Sequence, residues 1–162
     1  MTMSILDRPI TLDRLEDERA IHRLLSTYVH LLDDGKFPEV ATLLQHATME
    51  VVGVYAQGRD GIEQFLNNGV QRHDDGTPRT WHTVSNSLID IDASGDRASA
   101  VSYFTVHQEL DGFALQSICT GRYHDQFEKR DGEWRFTYRL VKAHLLGDLQ
   151  HHAGSPVDKS MI

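Results

Sequence analysis

The chain has 162 residues, of which 40% are hydrophobic and 25% charged, and a net charge of −8. That length fits one domain burying roughly two-thirds of the surface its unfolded chain exposes, enough for a core of its own. The acidic balance speaks against nucleic acid, whose phosphates require a basic face, and the lone cysteine, Cys119, excludes an internal disulfide.

No apolar run approaches a membrane span, and Met1 to Ile10 lacks the apolar centre of a signal peptide. The expectation is a cytoplasmic protein with no membrane partner. Residues 1–10 read as an arm. Thr11 or Asp13 is placed to cap a first helix, along which Leu12, Leu15, Ile21, Leu24, Leu25, Tyr28, Leu31 and Leu32 recur at a helical period. Gly35 is its stop signal. Pro38 sits in the first turn of a shorter helix with Val40, Leu43 and Leu44 on one face. Thr48 to Tyr55 reads as a strand, Gly58 to Gly61 as a turn, and Ile62, Phe65, Leu66 and Val70 as a third helix. His73 to Pro78 is a polar loop.

Four long strands follow, Trp81–Ile91, Ala98–Leu110, Phe113–Phe127 and Trp134–His144. Short connections such as Asp111-Gly112 and Asp131-Gly132 make them an antiparallel meander. Helices followed by a curved antiparallel sheet give an α+β class. The polar tail, residues 145–162, is either flexible or folded over a pocket.

The strand pleat sorts the chemistry. It places His82, Val84, Asn86 and Leu88 on one face of the first long strand, and Val101, Tyr103, Thr105, His107 and Glu109 on one face of the second. Apolar faces with a few placed polar groups suit a small-molecule pocket. The alternative for His82 and His107 is a hydrogen-bonded core or edge. Asp33 closes the first helix, where the dipole is negative and a carboxylate costs about 0.3–1 kcal/mol when exposed. A neighbouring imidazolium relieves that cost, and an Asp that orients a His makes it a competent base. A solvated turn is an equal alternative for Asp33 and the better reading of Asp34. Tyr28 reads as core and Cys119 as a buried, inert thiol. His22, His30 and His46 read as surface, and His151-His152 as a tail pair. Asp33, His82 and His107 have the residue types of a two-His-one-carboxylate iron site, yet nothing in their spacing favours a metal, so none is expected.

Three stretches resemble the SnoaL-like branch of the NTF2-like superfamily: Ile21-x-x-Leu-Leu-x-x-Tyr28-x-x-x-Leu32-Asp33, Trp81-His82, and Arg130-Asp131-Gly132-Glu133-Trp134-Arg135-Phe136. The likeness spans about residues 12–144 and places one domain at 11–144. It implies an NTF2-like (cystatin-like) cone, with N-terminal helices packed on a strongly curved antiparallel sheet and a ligand in its mouth. Scytalone dehydratase, the bile-acid 7α-dehydratases and hexachlorocyclohexane dehydrochlorinase are cofactor-free members that pair an Asp ending the first helix with a His early in the first long strand. Asp33 and His82 match those two positions. His107 matches a second His of scytalone dehydratase, and Tyr28 matches a tyrosine of the bile-acid enzymes. Val52, near Tyr55, falls where scytalone dehydratase has a tyrosine, and Gly121 and Tyr123 replace its Ser and Asn. Scytalone itself is therefore not the expected substrate.

The resemblance implies a cofactor-independent lyase, a dehydratase acting on a hydrophobic hydroxylated ketone with polyketide, aromatic or steroid-like rings. Asp33, His82, His107 and Tyr28 are the expected catalytic residues. Val52, Tyr55, Asn86, Tyr103, Cys119 and Tyr123 are the expected substrate contacts. An isomerase of the ketosteroid type is one alternative. A non-catalytic binder, or a structural protein like a dioxygenase β subunit, is another. A homo-oligomer, dimer or trimer, through the sheet's outer face is implied as well.

Overall fold

In the computed structural model, residues 10–157 and 159–162 are described; the arm expected over residues 1–10 lies outside them except for Ile10, which is exposed. Helix α1 (Leu12–Asp33) starts at Thr11, whose hydroxyl accepts the Arg14 N–H at 3.3 Å. Its buried stripe is Ile21, Leu25, Tyr28 and Leu32, on one helical face. Leu12 and Leu15, read as part of that stripe, are exposed. The helix ends in a Schellman turn. The Gly35 N–H donates to the Leu32 carbonyl at 3.0 Å and the Lys36 N–H to the Leu31 carbonyl at 2.9 Å. Gly35 takes φ +70°, and a Cβ there would lie 2.3 Å from the Gly76 carbonyl oxygen. The end of α1 is therefore pressed against the backbone of the loop that leads into the long strands.

Helix α2 (Phe37–Leu43), with Pro38 in its first turn, buries Phe37, Val40 and Ala41. The strand expected over Thr48–Tyr55 is a hairpin instead: β1 (Thr48–Val51) and β2 (Val54–Gln57). Its two-residue turn, Val52-Gly53, has positive φ at both positions, 51° and 73°. That is the twist a tight hairpin needs, but the left-handed region is costly for a β-branched residue, so Val52 carries no turn signal. Helix α3 (Gly58–Gly69) absorbs the expected Gly58–Gly61 turn as its first turn and buries Ile62 and Leu66.

Strands β3 (Thr80–Ile91), β4 (Arg97–Leu110), β5 (Phe113–Arg130) and β6 (Glu133–Leu146) form the expected antiparallel meander. Among the described residues the sheet has six strands, in the order β2-β1-β6-β5-β4-β3. It is mixed rather than wholly antiparallel, because β1 runs parallel to β6. The inner face packs on the helices through Phe104, Val106, Ile118, Tyr123, Phe127 and Phe136.

Of the sheet's register shifts, two bear on the residues near the cavity, because one unpaired residue inverts the pleat beyond it. In β3 the register shifts between Ser85 and Leu88, with Asn86 at φ 51°. His82 and Val84 face inward opposite Val106 and Phe104, but beyond the shift it is Ile89 and Ile91 that face in, while Leu88 is 72% exposed. In β6 the shift falls at Thr137, so Phe136 and Arg139 are both fully buried.

Gly35→Ala is expected to lower unfolding free energy by about 1–3 kcal/mol, the usual cost of an over-constrained left-handed residue with a clash added. Urea denaturation measures it, and an unchanged midpoint would rule out the tight contact with Gly76.

Candidate active site

Asp33 is the last residue of α1, where its own helix repels its charge. Three donors compensate, all from the first residues of β3. The Thr80 hydroxyl donates to Asp33 Oδ1 at 2.8 Å, the His82 backbone N–H donates to Oδ2 at 2.8 Å, and His82 Nδ1 lies 2.5 Å from Oδ1. The Asp33 side chain is 16% exposed and that of His82 only 4%. The chain enters β3 through Arg79 at φ 57°, and Gln108 Nε2 donates to the Pro78 carbonyl at 2.9 Å just before it. With Nδ1 held by a carboxylate, the other ring nitrogen of His82 is the one left for a ligand.

His82 opens into an interior cavity of about 190 Å³ that Tyr28, Phe65, Val106, Cys119, Tyr123, Val141 and Leu149 help to line. Of the residues expected to form the site, Tyr28, Val52, His82, Cys119 and Tyr123 lie on this cavity, and Asp33 stands behind His82. The other four lie elsewhere. His107 pairs with Trp81 on the sheet's outer face, one pleat out of phase with His82. Tyr103 shares that outer face, under the Arg122 guanidinium at 5.0 Å. Asn86 is taken out of phase by the β3 irregularity, and Tyr55 projects from β2, 62% exposed. Asp33, His82 and His107 thus do not converge on one point. The Cys119 thiol, pushed up to about 11 by burial, stays protonated.

Behind the cavity sits a feature that pattern reading did not reveal. Arg139 Nε and Nη2 donate to the two carboxylate oxygens of Asp125 at 2.8 and 2.7 Å, both side chains wholly buried. The guanidinium carbon lies 4.0 Å from the Tyr28 ring centroid, 4.2 Å from Tyr123 and 4.8 Å from Phe136. Burial raises the Tyr28 hydroxyl above the usual tyrosine range, with Arg139 opposing, and raises Tyr123 further. Both remain neutral O–H groups in a largely apolar cavity, near a fixed positive charge. The signal available in the sequence was Arg139 between Tyr138 and Leu140-Val141, which the Thr137 irregularity disguises as an outward position.

The C-terminal segment forms part of the cavity wall. The Gln71 N–H donates to the His152 carbonyl at 2.8 Å, and Gln71 Nε2 donates to the carbonyls of Gln150 and Ala153 at 2.9 and 2.6 Å. Leu149, His152, Ala153, Val157 and Ile162 lie on the cavity wall. His152, read as part of a tail pair, is on that wall.

The SnoaL-like domain profile matches residues 13–140. The chain belongs to the SnoaL-like family. Solved structures share its fold. A candidate scytalone dehydratase from Novosphingobium aromaticivorans DSM 12444 is 24% identical, covering 93% of this chain and 99% of that one at a TM-score of 0.69. Hexachlorocyclohexane dehydrochlorinase type 3 from Novosphingobium barchaimii LL02 is 23% identical, covering 84% and 92% at 0.67. An NTF2-like protein with a cystatin-like fold from N. aromaticivorans is 22% identical, covering 80% and 82% at 0.66. No curated protein matches the chain in sequence. Fold and family are thus NTF2-like and SnoaL-like, as the motifs implied.

Asp125→Ala would strand a buried guanidinium and is expected to cost about 3–5 kcal/mol of stability. Chemical denaturation checks this; a loss below 1 kcal/mol would mean that water reaches Arg139.

Proposed function

We propose that this protein is a cofactor-independent lyase that removes water from a compact, hydrophobic ring ketone carrying a hydroxyl β to its carbonyl. The observation that carries this reading is the Asp33–His82 pair facing a largely apolar cavity. The likeness to a candidate scytalone dehydratase and to a dehydrochlorinase lends support, since both names describe eliminations. His82 takes the proton from the carbon beside the carbonyl, and the electron pair becomes an enolate. The C–O bond to the hydroxyl then breaks, and the departing oxygen takes the proton back from His82 and leaves as water. Asp33 keeps the imidazole oriented and stabilises the transient imidazolium. Tyr28 and Tyr123, both neutral, supply O–H donors for the carbonyl oxygen. His107 has no part in this scheme because it lies on the outer face.

The cavity narrows the substrate. A cavity of about 150 Å³ accepts benzene. The 190 Å³ here takes one ring or a compact pair of fused rings rather than the four of a steroid. Trp81, Leu88 and Leu115, exposed on the sheet's other side, suit the homo-oligomer that the family resemblance implies.

His82→Ala is expected to abolish dehydration of one- and two-ring β-hydroxyketones while leaving the circular dichroism spectrum unchanged. Asp33→Asn is expected to lower the rate by roughly 10²–10⁴-fold, the usual worth of an acid–base group. Mass spectrometry reads the loss of one water. A product of unchanged mass would move the assignment to an isomerase, and binding without turnover would leave a carrier.

A further inference from the structure

We propose that His152 is a ligand-binding residue of this cavity, carried in by the C-terminal segment, and that its Nδ1 hydrogen-bonds the oxygen of the ring substrate on which His82 acts.

The backbone around His152 is held from both sides. Beside the three bonds from Gln71, the His151 carbonyl accepts from Gln108 Nε2 at 3.0 Å and lies 3.0 Å from His73 Nε2. Gly154 follows at a point where a Cβ would sit 2.0 Å from the Asn68 carbonyl oxygen. This anchoring sends the two adjacent histidines opposite ways. The His151 ring meets Phe113 edge-on at 4.9 Å, whereas His152 turns onto the cavity wall with His82, Leu149 and Ala153.

His152 Nδ1 is sealed from solvent and has no hydrogen-bond partner among the described residues. Buried polar atoms are nearly always satisfied, so an orphan beside a cavity marks the position of a partner that arrives from outside. The imidazole is also kept neutral. Burial first, then the neighbouring His82, push it down to about 4, His73 adding to this and Asp33 opposing it. A neutral imidazole offers a directional bond to an oxygen without placing a second cation beside His82. An enolate oxygen, formed as His82 takes its proton, is the acceptor that such an N–H matches. The C-terminal segment therefore supplies chemistry as well as cover.

This inference rests on the cavity being a ring-ketone site, but its test needs no turnover. The probes are 2-naphthol, a two-ring enol mimic, and naphthalene, which lacks the oxygen. Their dissociation constants are measured for the wild type, His152→Phe and His152→Asn. His152→Phe is expected to weaken 2-naphthol roughly tenfold, the worth of about one hydrogen bond, and to leave naphthalene within about twofold, the noise of such a comparison. His152→Asn, whose amide reaches the Nδ1 position, is expected to recover most of the loss. Equal weakening of both probes would make His152 a packing residue and overturn the proposal. So would unchanged binding of 2-naphthol, or failure of both probes to bind the wild type. If the binding pattern holds while no hydroxyketone loses water, the elimination is wrong and the His152 site stands.

Discussion

The carboxylate of Asp33 is the joint on which this molecule turns. It ends the longest helix, at the pole that repels it, and takes its donors from Thr80 and His82, at the start of the first long strand. The Schellman turn at Gly35 fixes where the carboxylate sits, and the Gly35–Gly76 contact fixes the loop that delivers its donors. Fold and chemistry share one link. The bonds that tie helix to sheet are also the bonds that occupy Nδ1 of His82 and leave its other ring nitrogen free of Asp33.

Two sets of polar groups stand at the cavity or behind it. Asp33 is hydrogen-bonded to His82, and His152 near them is kept uncharged. Behind the wall, Arg139 is neutralised by Asp125 and covered by the faces of Tyr28 and Tyr123. The rest of the lining is mainly aliphatic or aromatic. A hydrophobic ring carrying neutral oxygens suits both sets of groups, which a charged ligand does not.

The parts of this arrangement that are local in sequence were legible. The stripe from Ile21 to Leu32, the Gly35 stop, and Asp33 and His82 as partners all follow from periodicity, dipole logic and family resemblance. What was hidden depends on single residues that shift a strand's phase. The irregularity at Asn86 moves Asn86 and Leu88 off the face of His82, and the one at Thr137 moves Arg139 onto the inner face. Strict alternation also set His107 beside His82, although antiparallel pairing puts Val106 there. The Val52-Gly53 turn lacked a signal because Val is a poor occupant of the left-handed region. His152 was missed because the polar composition of its segment says nothing about hydrogen bonds made by Gln71 and Gln108.

The parallel pairing of β1 with β6 has a kinetic meaning. Its partners, Thr48 with Tyr138 through Val51 with Val141, lie far apart along the chain, and the Tyr138 hydroxyl reaches across to Glu50. Contacts of such long range form slowly, since the loop between them must be closed before any bond rewards the closure. The meander β3–β6 is joined by short turns, whereas Met49 and Val51 reach the cavity wall through this long-range seam. Part of the cavity wall therefore depends on a pairing between segments distant in the chain, and on the loop closure that such a pairing requires.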